Sequence, residues 1–116
     1  MIESVVVKAI ESVPELNARV YPLFAPEKAR LPLVVYVSSG TTEDDSLGGW
    51  IESYETRMEI DVLHQSYKAM KELSEKVVDA IKGIKEATVY VDEDQPERFY
   101  SEVNAYMKAI NIRLNY

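Results

Sequence analysis

The 116-residue sequence contains no cysteine, which excludes disulfide staples and thiolate metal sites and gives no reason to expect an oxidising compartment. Histidine is almost absent as well. His64 stands alone, so a Ser/His or His/carboxylate pair built on it lacks an identifiable second member, and Asp61 is only a remote candidate. No P-loop, HExxH, GxSxG or CxxC pattern occurs. The acidic run Asp92-Glu93-Asp94 lacks the ligand spacing and the glycine of a calcium loop, and reads as a solvated turn. Together these absences predict a non-enzyme with no metal and no other cofactor. Positive charge is in deficit, with 13 Lys and Arg against 20 Asp and Glu, for a net charge of −7. That speaks against the basic stripe of a sequence-reading nucleic-acid binder, but not against a surface that DNA passes without sticking. No apolar run approaches the ~20 residues of a membrane span, and the N-terminus lacks the basic stretch and cleavage site of a signal peptide. Synthesis in the cytoplasm and no membrane partner are the expectations.

What is present is ordinary globular material, 47% apolar and 28% charged, enough for one domain over residues 1–116. Ile2, Val5, Val6, Ala9, Ile10 and Val13 share one face of a helix that Pro14 should stop. A short edge strand near Arg19 is followed by a loop punctuated by Pro22, Pro26 and Pro32. The run Leu33-Val34-Val35-Tyr36-Val37 then has the composition of a strand buried on both faces. Residues 38–49 hold Gly40, two threonines, Glu43-Asp44-Asp45 and Gly48-Gly49, and read as a long loop ending at Trp50, the one tryptophan. Trp50 either folds back over the sheet edge or anchors an interface.

Tyr54, Thr56, Met58, Ile60 and Val62 alternate with Glu55, Arg57, Glu59 and Asp61, a strand with one buried and one wet face. Ser66 is the expected N-cap of a second helix whose stripe is Tyr67, Met70, Leu73, Val77 and Ile81, with Gly83 in a left-handed C-terminal cap. A short strand over residues 87–91 follows. The last strand, roughly 103–114, is ambiguous: Val103, Ala105, Met107 and Ala109 are in one phase, Ile110, Ile112 and Leu114 in the other. Either a bulge near 109–110 resets it or both faces are partly covered. The order α-β-β-β-α-β-β describes an α+β fold, a mainly antiparallel sheet with two helices packed on it.

The segment R-V-Y-P-L-x-A-P followed by L-P-x-V-V-Y, from Arg19 to Tyr36, resembles the tail-completion family of siphophages, also called tail terminators or head–tail joining proteins. The resemblance continues through the strand Glu59–Leu63 and the helix opening Ser66-Tyr67-Lys68-Ala69, covering about residues 1–84. It implies a structural virion protein of a phage or prophage, made in the host bacterial cytoplasm. Such a protein forms a ring, expected to be hexameric, that caps the head-proximal end of the tail tube. Its implied partners are further copies of itself, the tail tube protein and the head connector protein, with DNA only passing through the channel. The alternative is a small ligand- or peptide-binding α+β module of bacterial regulation that uses the sheet edge or the Trp50 loop. Candidate subunit or partner contacts are Asp44, Asp45, Leu47 and Trp50 of the loop, and Glu55, Arg57, Glu59 and Asp61 of the mixed-charge strand.

Overall fold

The computed structural model of the chain describes residues 2–45 and 51–116. Its first element, helix α1 (Ile2–Glu11), buries Ile2, Val6 and Ile10. The helix stops two residues before Val13, because Pro14 disfavours helical backbone at the residue it follows. Val13 is extended, Pro14–Leu16 forms a single 3-10 turn, and Leu16 drops fully into the core. Three strands follow: β1 (Val20–Pro22), β2 (Leu33–Asp45) and β3 (Ile51–His64). Helix α2 (Tyr67–Lys82) comes next, then β4 (Thr88–Asp92), β5 (Arg98–Tyr100) and β6 (Ala105–Asn115).

The six strands form one sheet in the order β1-β2-β3-β6-β4, with β5 also paired to β6. Only the β1–β2 pair is parallel; the others are antiparallel. This is the expected α+β architecture, with β5 as a strand the sequence pattern does not reveal. Three residues are too few for alternation to register. β4 and β5 lie end to end along one side of β6, Asp92 opposite Asn111 and Arg98 opposite Met107, with residues 93–97 looping out between them.

Both helices cover the same face of the sheet. The core between them holds Val6, Ile10 and Leu16 from the N-terminal segment, Leu73, Val77 and Ile81 from α2, and Val34, Met58, Ile60, Val62, Ile110 and Leu114 from the sheet. Ser66 caps α2 as expected, its hydroxyl accepting from the Ala69 amide at 3.0 Å. Gly83 does not take the left-handed cap. Its φ of −78° continues the right-handed turn, and its amide donates to the Asp79 carbonyl at 3.1 Å, as the Ile84 amide does to Ile81 at 3.1 Å. The tightened last turn satisfies the helix-end carbonyls without a glycine-specific conformation.

Two further expectations are corrected. Residues 38–45 are not loop but the second half of β2, paired to β3 as far as Asp45 opposite Ile51. The glycine signal at that point marks a bend rather than a loop. The register shifts between Ser38 and Gly40, and Gly40 has φ of +117°, a conformation a side chain would resist. The strand Leu33–Val37 is also buried on both faces only through Val35, since Tyr36 and Val37 are half-buried. The ambiguous last strand, by contrast, resolves into one of its two foreseen forms: β6 runs against β3 from Tyr106 to Asn115 without a bulge. Ile110, Ile112 and Leu114 face the helices, while Met107, Ala109 and Asn111 lie half-buried on the opposite face.

Candidate functional site

Two features of this fold are unspent on the core. One is the β2–β3 hairpin, which outruns the rest of the sheet. β6 ends opposite Glu55, so the hairpin beyond that point is two-stranded. With it the molecule measures 53 Å in length against 25 and 24 Å across. Its root is clamped on the helix side: Thr41 and Thr56 hydroxyls lie 2.8 Å apart, Thr56 is 2.9 Å from the Tyr116 hydroxyl, and Tyr54 stacks on Tyr116 at 5.6 Å. Reciprocal Tyr54–Tyr116 backbone bonds of 2.7 and 3.0 Å close the ladder there. Asp44 and Asp45 belong to this arm by their backbone pairing with Ser53 and Ile51. Leu47 and Trp50 lie outside the described residues.

The other feature is the sheet face turned away from the helices. Strand periodicity sends Glu55, Arg57, Glu59 and Asp61 of β3 to it, together with Asn111 and Arg113 of β6 and Tyr90 and Asp92 of β4. The face is concave, with a cleft of about 640 Å³ lined by Val37, Ser39, Arg57, Tyr90, Asn111 and Arg113 among others. Arg57 and Arg113 are directly opposite each other on β3 and β6. Like charges in that position repel, and Glu55 offsets the repulsion as an ion-pair partner of both, 3.2 Å from Arg113 Nε and 3.8 Å from Arg57. Arg113 also lies over the Tyr90 ring, 4.4 Å from its centre. Of the contacts expected from sequence, the structure thus joins Glu55 with Arg57, and Glu59 with Asp61, on one face. Arg113 and Tyr90 complete the site and were missed. Their signal was the polar phase Asn111, Arg113 between the apolar Ile110, Ile112 and Leu114.

Asp61 is the strained member. Its strand neighbours are Val35 on β2 and Ala109 on β6, and its Oδ1 is buried with no hydrogen-bond partner among the described residues. Burial, reinforced by hydrogen bonding to the Glu59 carboxyl and by its charge, pushes the Asp61 carboxyl up to about 7 from 3.8. The native state therefore holds a proton that the unfolded chain has lost between about pH 4 and pH 7. Through this group, stability is highest below pH 4, falls as pH rises to about 7, and is level above. Urea unfolding of Asp61→Asn beside the parent chain should show a stability advantage for the variant that grows from pH 4 to pH 7. A constant difference across that range would mean that Asp61 titrates as an ordinary exposed carboxylate.

His64 does not meet Asp61. It falls in the helix-side phase of β3, where its Nδ1 accepts from the Gln65 amide at 2.8 Å, which assigns the proton to Nε2. Nε2 in turn contacts Glu15 Oε2 at 3.2 Å, and Glu15 Oε1 is 3.1 Å from Lys76 Nζ. Partial burial raises the Glu15 carboxyl, but the hydrogen bonds and charges of Lys76 and His64 outweigh it, and the result lies below the usual range. This cluster ties the 3-10 turn to β3 and α2. The one histidine and Asp61 are on opposite faces of the sheet and cannot act on one substrate atom.

The family model of tail completion protein gp17 matches residues 5–96 of the chain. Among solved structures, a chain from the virion of a native gene transfer agent particle superposes with a TM-score of 0.67 at 13% identity, over 95% of this chain and 90% of that one. At that identity the likeness is one of fold. No curated protein matches the sequence.

Proposed function

The chain belongs to the family of tail completion protein gp17, and on that premise we propose that it forms a ring capping the head-proximal end of a phage or prophage tail tube and joining it to the head connector. The observation that carries the reading is the family match over residues 5–96, which includes the described part of the hairpin arm and the β3 and β4 residues of the charged sheet face, while Asn111 and Arg113 of β6 lie beyond it. The shared fold with a chain of a gene transfer agent virion supports placing it in a particle of phage type. In this reading the ring is hexameric, matching a sixfold tube, and the chain catalyses nothing. Its contacts are to further copies of itself, to the tail tube protein and to the head connector protein. The acidic excess keeps passing DNA from adhering to the channel.

Asp44 and Asp45 of the arm, Leu47 and Trp50 between β2 and β3 in sequence, and the face residues Glu55, Arg57, Glu59 and Asp61 are the proposed contact groups. A 53 Å body whose arm extends past its own sheet has a natural use in reaching a neighbour. The test is negative-stain imaging and mass measurement of the chain with and without purified tail tubes. Discrete rings on tube ends are expected, and a monomer that never binds tubes overturns the reading. Trp50→Ala is expected to reduce capping at least tenfold while changing monomer stability by less than about 1 kcal/mol. Equal losses of both would assign Trp50 to packing within the chain.

A further inference from the structure

The loop between β1 and β2 carries two consecutive large apolar side chains in the open, Leu23 at 67% exposure and Phe24 at 74%. They are not on a slack segment. The Leu23 amide donates to the Tyr36 carbonyl at 2.9 Å and the Phe24 amide to the Pro22 carbonyl at 2.7 Å. Farther along, Arg19 Nε donates to the Pro32 carbonyl at 2.8 Å and the Ala29 amide to Pro26 at 3.0 Å. Leu23 is held at φ of +67°, a left-handed conformation that a turn normally assigns to glycine or asparagine. A loop that only had to return the chain to the start of a parallel strand would use those residues. This one accepts backbone strain and exposed apolar area at the β1 edge of the sheet.

The opposite edge is also apolar. β5, on the outer side of β6, exposes Phe99 at 49% and Tyr100 at 38%. Two different apolar patches on opposite sides of a subunit suit a head-to-tail contact, whereas an isologous pair needs one self-complementary patch. The charges agree. Loop 23–32 carries Lys28 and Arg30 against Glu27, a net +1, while segment 92–104 carries Asp92, Glu93, Asp94, Glu97 and Glu102 against Arg98, a net −4 in which Glu97 is already paired with Lys71 and Lys108. In a chain of net charge −7, copies repel through most of their surfaces, and these two edges are where unlike charges meet.

We propose that copies of this chain associate head to tail through the two sheet edges, the Leu23–Phe24 knob of one copy seating against the Phe99–Tyr100 strip of the next. The proposal deepens the ring reading above and rests on it for ring closure, though not for the contact itself.

The chain's lack of cysteine makes the test direct. Phe24 adjoins β1 and Tyr100 lies in β5, four strand spacings apart in the order β1-β2-β3-β6-β5, roughly 19 Å at ~4.8 Å each. A disulfide needs Cα atoms within about 7 Å, and because residues 25–31 share a cleft with Val103 of the same molecule, the double variant oxidised at high dilution serves as the control for an internal bond. The double variant Phe24→Cys/Tyr100→Cys, mildly oxidised at high concentration and on tail tubes, should give a ladder of covalent oligomers. A mixture of the two single variants should give dimers, and neither single variant alone should cross-link. Self-linking of a single variant, or no ladder from the double variant, overturns the proposal.

As a second measurement, Phe24→Ser should melt within a few degrees of the parent yet need at least tenfold more protein to cap tubes. Unimpaired capping by Phe24→Ser overturns the edge contact and leaves the ring reading standing. A ladder in solution from a chain that never caps tubes supports the edge contact and removes the ring.

Discussion

Val34→Asp is expected to abolish cooperative folding. Val34 is fully buried against the helices, between Val20 on β1 and Val62 on β3, in the apolar core that Val6, Ile10 and Leu73 share. An unpaired buried charge costs several kcal/mol, or an equivalent amount to protonate, against a total stability of about 5–15 kcal/mol for a domain of this size. The adjacent Val35→Asp should also unfold the domain, because Val35 is only 9% exposed and lies directly opposite Asp61, so the new carboxylate would be buried beside the buried Asp61 Oδ1. Circular dichroism melts of the two variants check this. A cooperative transition for Val34→Asp would show that the helices do not seal that face of β2.

Ile110→Ala is expected to cost about 2–5 kcal/mol in urea unfolding, the range for removing a large aliphatic side chain from a site that cannot collapse. Ile110 lies at the middle of β6, fully buried and directly opposite Ile60. The neighbouring Asn111→Ala, on the concave face opposite Glu59, should change stability by less than about 1 kcal/mol. The contrast across one peptide bond tests the register of β6, because a one-residue slip would exchange the two faces and reverse the order of the two costs.

These pairs also separate what is legible in the chain from what is not. The alternation Met58, Ile60, Val62 against Arg57, Glu59, Asp61 already marks a half-buried strand, and its inner face came out as read, while Asp61 on the other face is partly buried. β6 could not be read that way, because its ambiguity arises from partial cover on both faces. Met107, Ala109 and Asn111 are half-buried on the outer face while Ile110, Ile112 and Leu114 are buried under the helices. The stretch 38–45 was misread for a different reason. Glycine, threonine and acidic residues are turn chemistry when the chain is read locally, but here Gly40 serves a bulge that bends the hairpin while pairing continues.

By itself the sequence determined the kind of fold, the two amphipathic helices, the inner face of β3 and, through the segment Arg19–Tyr36, the family. Each of those depends on residues near one another in the chain, where period and turn chemistry speak directly. The tertiary structure alone decided which charged residues form a site. Glu55 meets Arg113 and His64 meets Glu15 across 58 and 49 positions of sequence, because strand pairing and helix docking bring them together. It also decided that Leu23 and Phe24 are surface. The sequence marked them only as part of a proline-punctuated loop, and the left-handed turn with its surrounding hydrogen bonds holds them out at the sheet edge.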